Sequence, residues 1–171
     1  MVVILMGSLS DWGVMRDCVE LLKSLRIPTK VYVSSAHRSP IRTHEIVKKE
    51  EAAGAAVFIG AAGMAAHLAG SIASITTRPV IAVPLAVGML DGLDSLLSTV
   101  QMPRGVPVAT MSLGRAGALN AAYFSAQILC YMPGFAYLAE ELAKDREKRA
   151  NQLIEDTKKV QEDMQDSLQT L

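Results

Sequence analysis

The sequence predicts an α/β fold, a doubly wound parallel sheet of the flavodoxin-like or Rossmann-like three-layer kind with a long C-terminal helix. Three observations predict it. Short aliphatic runs alternate with helical patterns over roughly residues 1–131. Those runs are mostly apolar on both faces, as a sheet covered on both sides requires. Half of the 171 residues are apolar, yet no run reaches the ~18–20 residues of a membrane span.

The strands are read at Val2–Met6, Lys30–Ser34, Ala56–Gly60, Val80–Pro84 and Val106–Met111. Helical spacing fills the gaps at Trp12–Leu25, Pro40–Ala53, Ala65–Thr76 and Asp94–Val100. Val14, Cys18, Leu21, Leu22 and Leu25 make the clearest apolar stripe. Helical patterns resume at Ala116–Cys130 and from Phe135 to about Met164. The last is polar and carries Glu/Lys pairs such as Glu140–Lys144 and Glu155–Lys159. Its plain reading is a solvated helix. The sharper reading makes residues 133–171 a helical extension of a single 1–171 domain, lying at a subunit interface.

Charge and composition narrow the function. Seventeen basic and seventeen acidic residues cancel, so no global field draws the chain to nucleic acid or an anionic membrane. An anionic ligand must be held by local donors. The start, Met1 to Leu5, has no basic segment or cleavage site, and a cytoplasmic location is expected. Cys18 and Cys130 are read as two reduced thiols, and with three histidines no metal site is expected. The surplus of apolar residues for a chain this small points to a homo-oligomer.

Doubly wound sheets bind ligands beyond the carboxyl ends of their strands. The first strand runs into Gly7-Ser8-Leu9-Ser10-Asp11. Gly7 permits a tight turn, and the Ser8 and Ser10 hydroxyls with helix-start N–H groups would cradle a phosphate. Asp11 would cap the helix or accept from ribose hydroxyls; an ordinary Ser/Asp cap accounts for the segment equally well. The second strand leads to Ser34-Ser35-Ala36-His37-Arg38-Ser39-Pro40, which sets a proton shuttle beside an anion anchor. Gly60 to Gly70 follows the third strand; its small residues admit close approach of a ligand, and His67 falls in the first helical turn. Gln101-Met102-Pro103 is read as a segment able to close over a small planar ligand, and His44 as solvent-exposed.

GSLSD, SAHRSP, the Gly/Ala-rich loop ending AAHL, LDSLLSTVQMPRGVPV and GRAGALNAA together resemble the aminoimidazole ribonucleotide carboxylase/mutase family of purine biosynthesis. The resemblance implies nucleotide binding by Ser8, Ser10 and Asp11. It implies proton transfer by His37 and phosphate binding by Arg38, in a motif that includes Ser35 and Ala36. It implies a loop at Gly63, His67 and Leu68 that receives the carboxylate or CO2. It further implies three-layer subunits in an octamer, with no metal, biotin, nucleotide triphosphate or other cofactor.

The family holds a class that carboxylates carbon 4 of the aminoimidazole with CO2, and a mutase class that shifts the carboxyl group from the exocyclic nitrogen. The mutase third loop typically reads GAGGAAHLPG. Here it reads GAAGMAAHLAG, with Met64 and Ala69 in place of Gly and Pro. This departure resembles the carboxylase class, with Met64 adding bulk where a carboxylamine needs room. Direct carboxylation with CO2 is therefore the expectation, with the mutase as alternative. In either reaction a base must remove the carbon-4 proton, a task assigned to His37, while His67 orients the carboxyl group. A flavodoxin-like FMN carrier is a remote alternative, since Trp12 is the only Trp. A phospho-receiver would need an acidic residue where Gly60-Ala61-Ala62 stands.

Overall fold

The computed structural model describes residues 1–169. Five strands form one parallel sheet: β1 (Val2–Met6), β2 (Thr29–Val33), β3 (Val57–Gly63), β4 (Val80–Leu85) and β5 (Ala109–Thr110). Their spatial order is β2-β1-β3-β4-β5. The helices are α1 (Trp12–Ser24), α2 (Pro40–Ala52), α3 (Leu68–Ala73), α4 (Leu93–Val100), α5 (Gly114–Leu129) and α6 (Tyr137–Gln169), with a short 3₁₀ turn at Leu9–Asp11.

Strand periodicity divides the core in two. Val2, Ile4 and Met6 point to one face, where they join Ile59, Val83, Met15, Cys18 and the alanines of α5. Val3 and Leu5 point to the other, against Phe58, Ile46, Val47, Leu68 and Ile72 of β3, α2 and α3. Each of the five β1 residues is buried, which is why the run reads as apolar rather than alternating. At β1 the winding reverses: β2 lies on one side and β3 on the other. That reversal opens a crevice at the carboxyl end of β1, the customary ligand position in such sheets.

Several element boundaries differ from those expected. β2 is an edge strand and only half-buried; its polar Lys30 and Tyr32 bond Glu50 of α2. β5 shrinks to two residues because Pro107 carries no N–H for the ladder. α3 spans Leu68–Ala73 rather than Ala65–Thr76. On α6 the Glu140–Lys144 pair forms at 2.7 Å, whereas Glu155 pairs with Lys158 and Lys159 with Asp156. The GRAGALNAA segment lies in α5, where a side chain at Gly117 would stand 1.7 Å from the Ser112 carbonyl oxygen. Both cysteines are free thiols. No helix among the described residues is long and apolar enough to cross a membrane.

Candidate active site

A cleft of about 500 Å³ opens at the carboxyl ends of β1, β2, β3 and β4. That volume lies within the usual range for small-molecule sites. Its first wall is the turn after β1. Ser8 caps the 3₁₀ turn through its hydroxyl, while the Asp11 carboxylate accepts from the Ser8 N–H at 2.9 Å, a reciprocal capping box. Ser8 therefore caps the turn, Asp11 makes no side-chain cap bond to α1, and Gly7, Ser8, Ser10 and Asp11 also line the cleft. Burial raises the Asp11 carboxyl above its ordinary range, partly offset by hydrogen bonds from Ser8, Ser10 and Gly7.

The second wall is the β2–α2 loop. Pro40 opens α2 as its first residue, so the four residues before Ser39 stand clear at the sheet edge. Ser35 accepts from the Arg38 N–H at 3.2 Å, and Ser39 from the Ser35 N–H at 3.3 Å. The Arg38 guanidinium donates to the Gly7 carbonyl at 2.9 Å, bridging the first wall to the second. Arg38 and His37 are both exposed to the cleft mouth. A guanidinium beside Ser8 and Ser10 is an arrangement suited to a phosphate.

The third wall follows β3. A side chain at Gly63 would fall 1.9 Å from Val87 Cγ2, so only hydrogen lets this strand end pass beneath the loop after β4. Met64 then adopts a left-handed backbone, φ +55°, rare for a side chain of its size. It remains 61% exposed at the rim. His67 is the N-cap of α3 rather than a residue of its first turn. Its Nδ1 lies 2.9 Å from His37 Nε2, with the two rings edge to face. One of these nitrogens donates and the other accepts, so the pair holds a proton between them.

The structure thus brings Gly7, Ser8, Ser10, Asp11, Ser35, Ala36, His37, Arg38, Gly63, Met64 and Leu68 around one cleft. His67 reaches it through its contact with His37. Ala62, Ala65 and Val87 also line it. Val87 follows the fourth strand, so the strand-end rule pointed there too. Gln101-Met102-Pro103 does not close over the cleft; the Met102 thioether packs against Gly70 of α3. His44 is exposed, as expected. The cleft wall carries no Phe, Tyr or Trp to flank a flavin ring. Among the described residues, no three His, Cys, Asp or Glu side chains form a metal-holding group.

A family model described as AIR carboxylase matches residues 1–152. The chain belongs to the AIR carboxylase family. N5-carboxyaminoimidazole ribonucleotide mutase of Pseudomonas aeruginosa is 50% identical over 126 residues, covering 74% of this chain and 77% of that protein. The mutase of Methanocaldococcus jannaschii is 45% identical over 162 residues, 95% of this chain and 98% of its own. The crystal structure of Treponema denticola PurE superposes with a TM-score of 0.82 at 28% identity, covering 92% of this chain and 96% of that one. Membership in the AIR carboxylase family makes the chain an enzyme of purine biosynthesis with a ribonucleotide substrate.

The relatives overturn the expectation of direct carboxylation. At 45–50% identity they carry the mutase name, despite the departures at Met64 and Ala69. The structure supplies a physical reason why those departures misled. Ala69 is the second residue of α3, a first-turn position that tolerates proline and alanine alike. Met64 occupies a left-handed position that favours glycine, and its side chain turns to the exposed rim. Both differences are matters of local backbone.

Proposed function

We propose that this AIR carboxylase family member is an N5-carboxyaminoimidazole ribonucleotide mutase, moving the carboxyl group from the exocyclic nitrogen to ring carbon 4. The observation that carries the reading is the His37–His67 contact at 2.9 Å beside an Arg- and Ser-lined cleft, together with the names of the relatives.

The chemistry conserves protons. In the substrate the nitrogen carries the carboxylate and carbon 4 carries a proton; in the product these are exchanged. The nitrogen–carboxyl bond breaks, releasing CO2 within the site as the nitrogen receives a proton. Carbon 4, enamine-like and nucleophilic, then bonds to CO2. A base removes the carbon-4 proton and restores the aromatic ring. One imidazole serves both transfers, first donating and then accepting, so no proton need be exchanged with solvent. His37 takes this role, and His67 positions it and orients the carboxyl group. The cleft's remaining task is to hold CO2 over carbon 4 before it escapes, which is positioning. Arg38, Ser8 and Ser10 hold the 5′-phosphate, and Asp11 the ribose hydroxyls.

The decisive assay supplies the N-carboxylated nucleotide and, in parallel, the uncarboxylated nucleotide with bicarbonate, following the carbon-4 carboxylate by ultraviolet absorbance. Turnover from the N-carboxylated nucleotide is the expected result. Product formed only from CO2, or no product at all, overturns it. His37→Asn is expected to bind nucleotide and lose about two or more orders of magnitude in kcat.

A further inference from the structure

Ser98 stands outside the cleft wall, on the last turn of α4, yet it grips the segment that carries His67. Its hydroxyl oxygen accepts from the Ala66 N–H at 3.0 Å, across 32 residues of sequence. Its own proton faces two carbonyl oxygens, that of Ser95 at 3.2 Å and that of Met64 at 3.4 Å. The neighbouring Thr99, buried, bonds the Ser95 carbonyl at 2.6 Å and brings its hydroxyl to 3.3 Å from the Ala66 carbonyl oxygen. Two successive side chains of α4 therefore hold one three-residue turn, Met64 to Ala66, immediately before His67.

That turn needs holding. Met64 sits at φ +55°, a left-handed conformation that crowds the side chain against the following carbonyl and is unfavourable for any residue but glycine. Without an external restraint the backbone at Met64 would relax toward negative φ. A rotation there displaces everything that follows until α3 begins, and His67 is the residue at that junction. The His37–His67 contact joins two exposed rings on different loops. Its geometry accordingly depends on how firmly each loop is anchored. The His37 loop is fixed by the Ser35, Ser39 and Arg38 bonds. On the His67 side, the Ser98 bond to Ala66 supplies the corresponding anchor.

We infer that Ser98 is a positioning residue for the proton-transfer pair, fixing the strained Met64–Ala66 turn and thereby the His67 ring against His37. The inference rests on the mutase reading and on the roles given to His37 and His67. Displacements of about an ångström in a reacting geometry cost as much as 10²-fold. Ser98→Ala is therefore expected to lower kcat by about tenfold or more, while KM for the nucleotide stays near the wild-type value. Ser98→Thr, which keeps the hydroxyl, is expected to restore most of the loss.

A second readout is independent of turnover. The chain has three histidines, so ring-nitrogen NMR of histidine-labelled protein reports His37 and His67 with exposed His44 as internal control. In Ser98→Ala the His37 and His67 resonances should move and the His44 resonance should not. Unchanged His37 and His67 resonances, or a kcat equal to wild type, would overturn the inference. So would a rise in KM matching the fall in kcat, the mark of general damage. Wild-type protein inert toward the N-carboxylated nucleotide would refute the functional reading instead, and the NMR comparison would still decide whether Ser98 sets the pair. Should Ser98→Ala fail to fold, Ser98→Cys, similar in size and a poorer acceptor, replaces it in both measurements.

Discussion

Cys18 has no exposed surface on the inner side of α1, packed into the same cluster as Met15 and Leu22. Burial pushes its thiol up to about 12. At pH 8 the reactive thiolate is then a fraction of about 10⁻⁴, and the alkylating agent has no route to it. Native protein treated with iodoacetamide at pH 8 should remain unlabelled at Cys18, and denaturant-unfolded protein should label there within minutes, both read by peptide mass. Labelling of native Cys18 would show that α1 detaches from the sheet. The sequence reads this thiol well, because its place in an apolar helical stripe decides its burial. Single residues of the cleft are legible for a different reason. His37 and Arg38 stand between a strand and a proline that opens a helix, so their exposure at the strand end follows from local chemistry. His67 sits among alanines, and nothing local announces a partner. Its contact with His37 spans 30 residues and exists only once β2 and β3 have both paired with β1.

Elements are legible where periodicity is strong and obscure where a third dimension decides. β1 and β3 are fully apolar runs, and their expected bounds lie within a few residues of those observed. β2 reads like the other runs as mostly apolar on both faces, yet it lies half-buried at the edge, because sheet order depends on packing rather than on the run itself. The consequence is a carboxylate inside the protein. Glu50 of α2 is fully buried and bonds the Lys30 ammonium and the Tyr32 hydroxyl, each at 2.6 Å. Burial alone would raise its carboxyl, but the bonds from Lys30 and Tyr32 prevail and hold it below the ordinary glutamate range. A depressed folded-state value means that Glu50 stabilises the fold fully above the unfolded pKa, about 4.3. That contribution disappears as pH falls through the lower, folded value. Glu50→Gln should therefore destabilise the protein at pH 7, by about 1–3 kcal/mol for a buried acceptor weakened in this way. The gap between variant and wild type should narrow as pH is lowered below 4. Denaturant melts at pH 7 and pH 3.5 measure both; a gap independent of pH would mean that the carboxylate charge plays no part.

At the scale of the molecule, one chain leaves much apolar surface uncovered. Met89, 99% exposed, adjoins Leu90, Leu93, Leu97 and Val100 on and before α4, beside the rim of the cleft. On α6 the apolar packing against the body runs through Leu138 and Leu142 of the first turns, and Arg149 reaches back over the Tyr123 ring of α5. Beyond them Leu153, Val160 and Met164 recur at intervals of seven and four, on one helical face, and stand in solvent. The hint of self-association comes from overall apolar content, which does not say where the contacts fall, since interface and core draw on the same residue types. On the proposed mutase reading CO2 must be kept from escaping, and we propose that copies of the chain cover these two patches in a homo-oligomer, with residues 133–169 at a subunit contact. Sedimentation of the full chain should accordingly return a multiple of 18.3 kDa. Glutamate at both Leu153 and Val160 should lower that multiple while leaving the helical content of the subunit unchanged. A wild-type monomer at micromolar concentration would refute the assembly as a whole. An undiminished oligomer in the double variant would make the far end of α6 a solvated helix and shift the interface to the α4 patch. Leu93→Ser with Leu97→Ser would then be the pair that dissociates it, and a loss of turnover on dissociation would tie CO2 retention to the covered cleft.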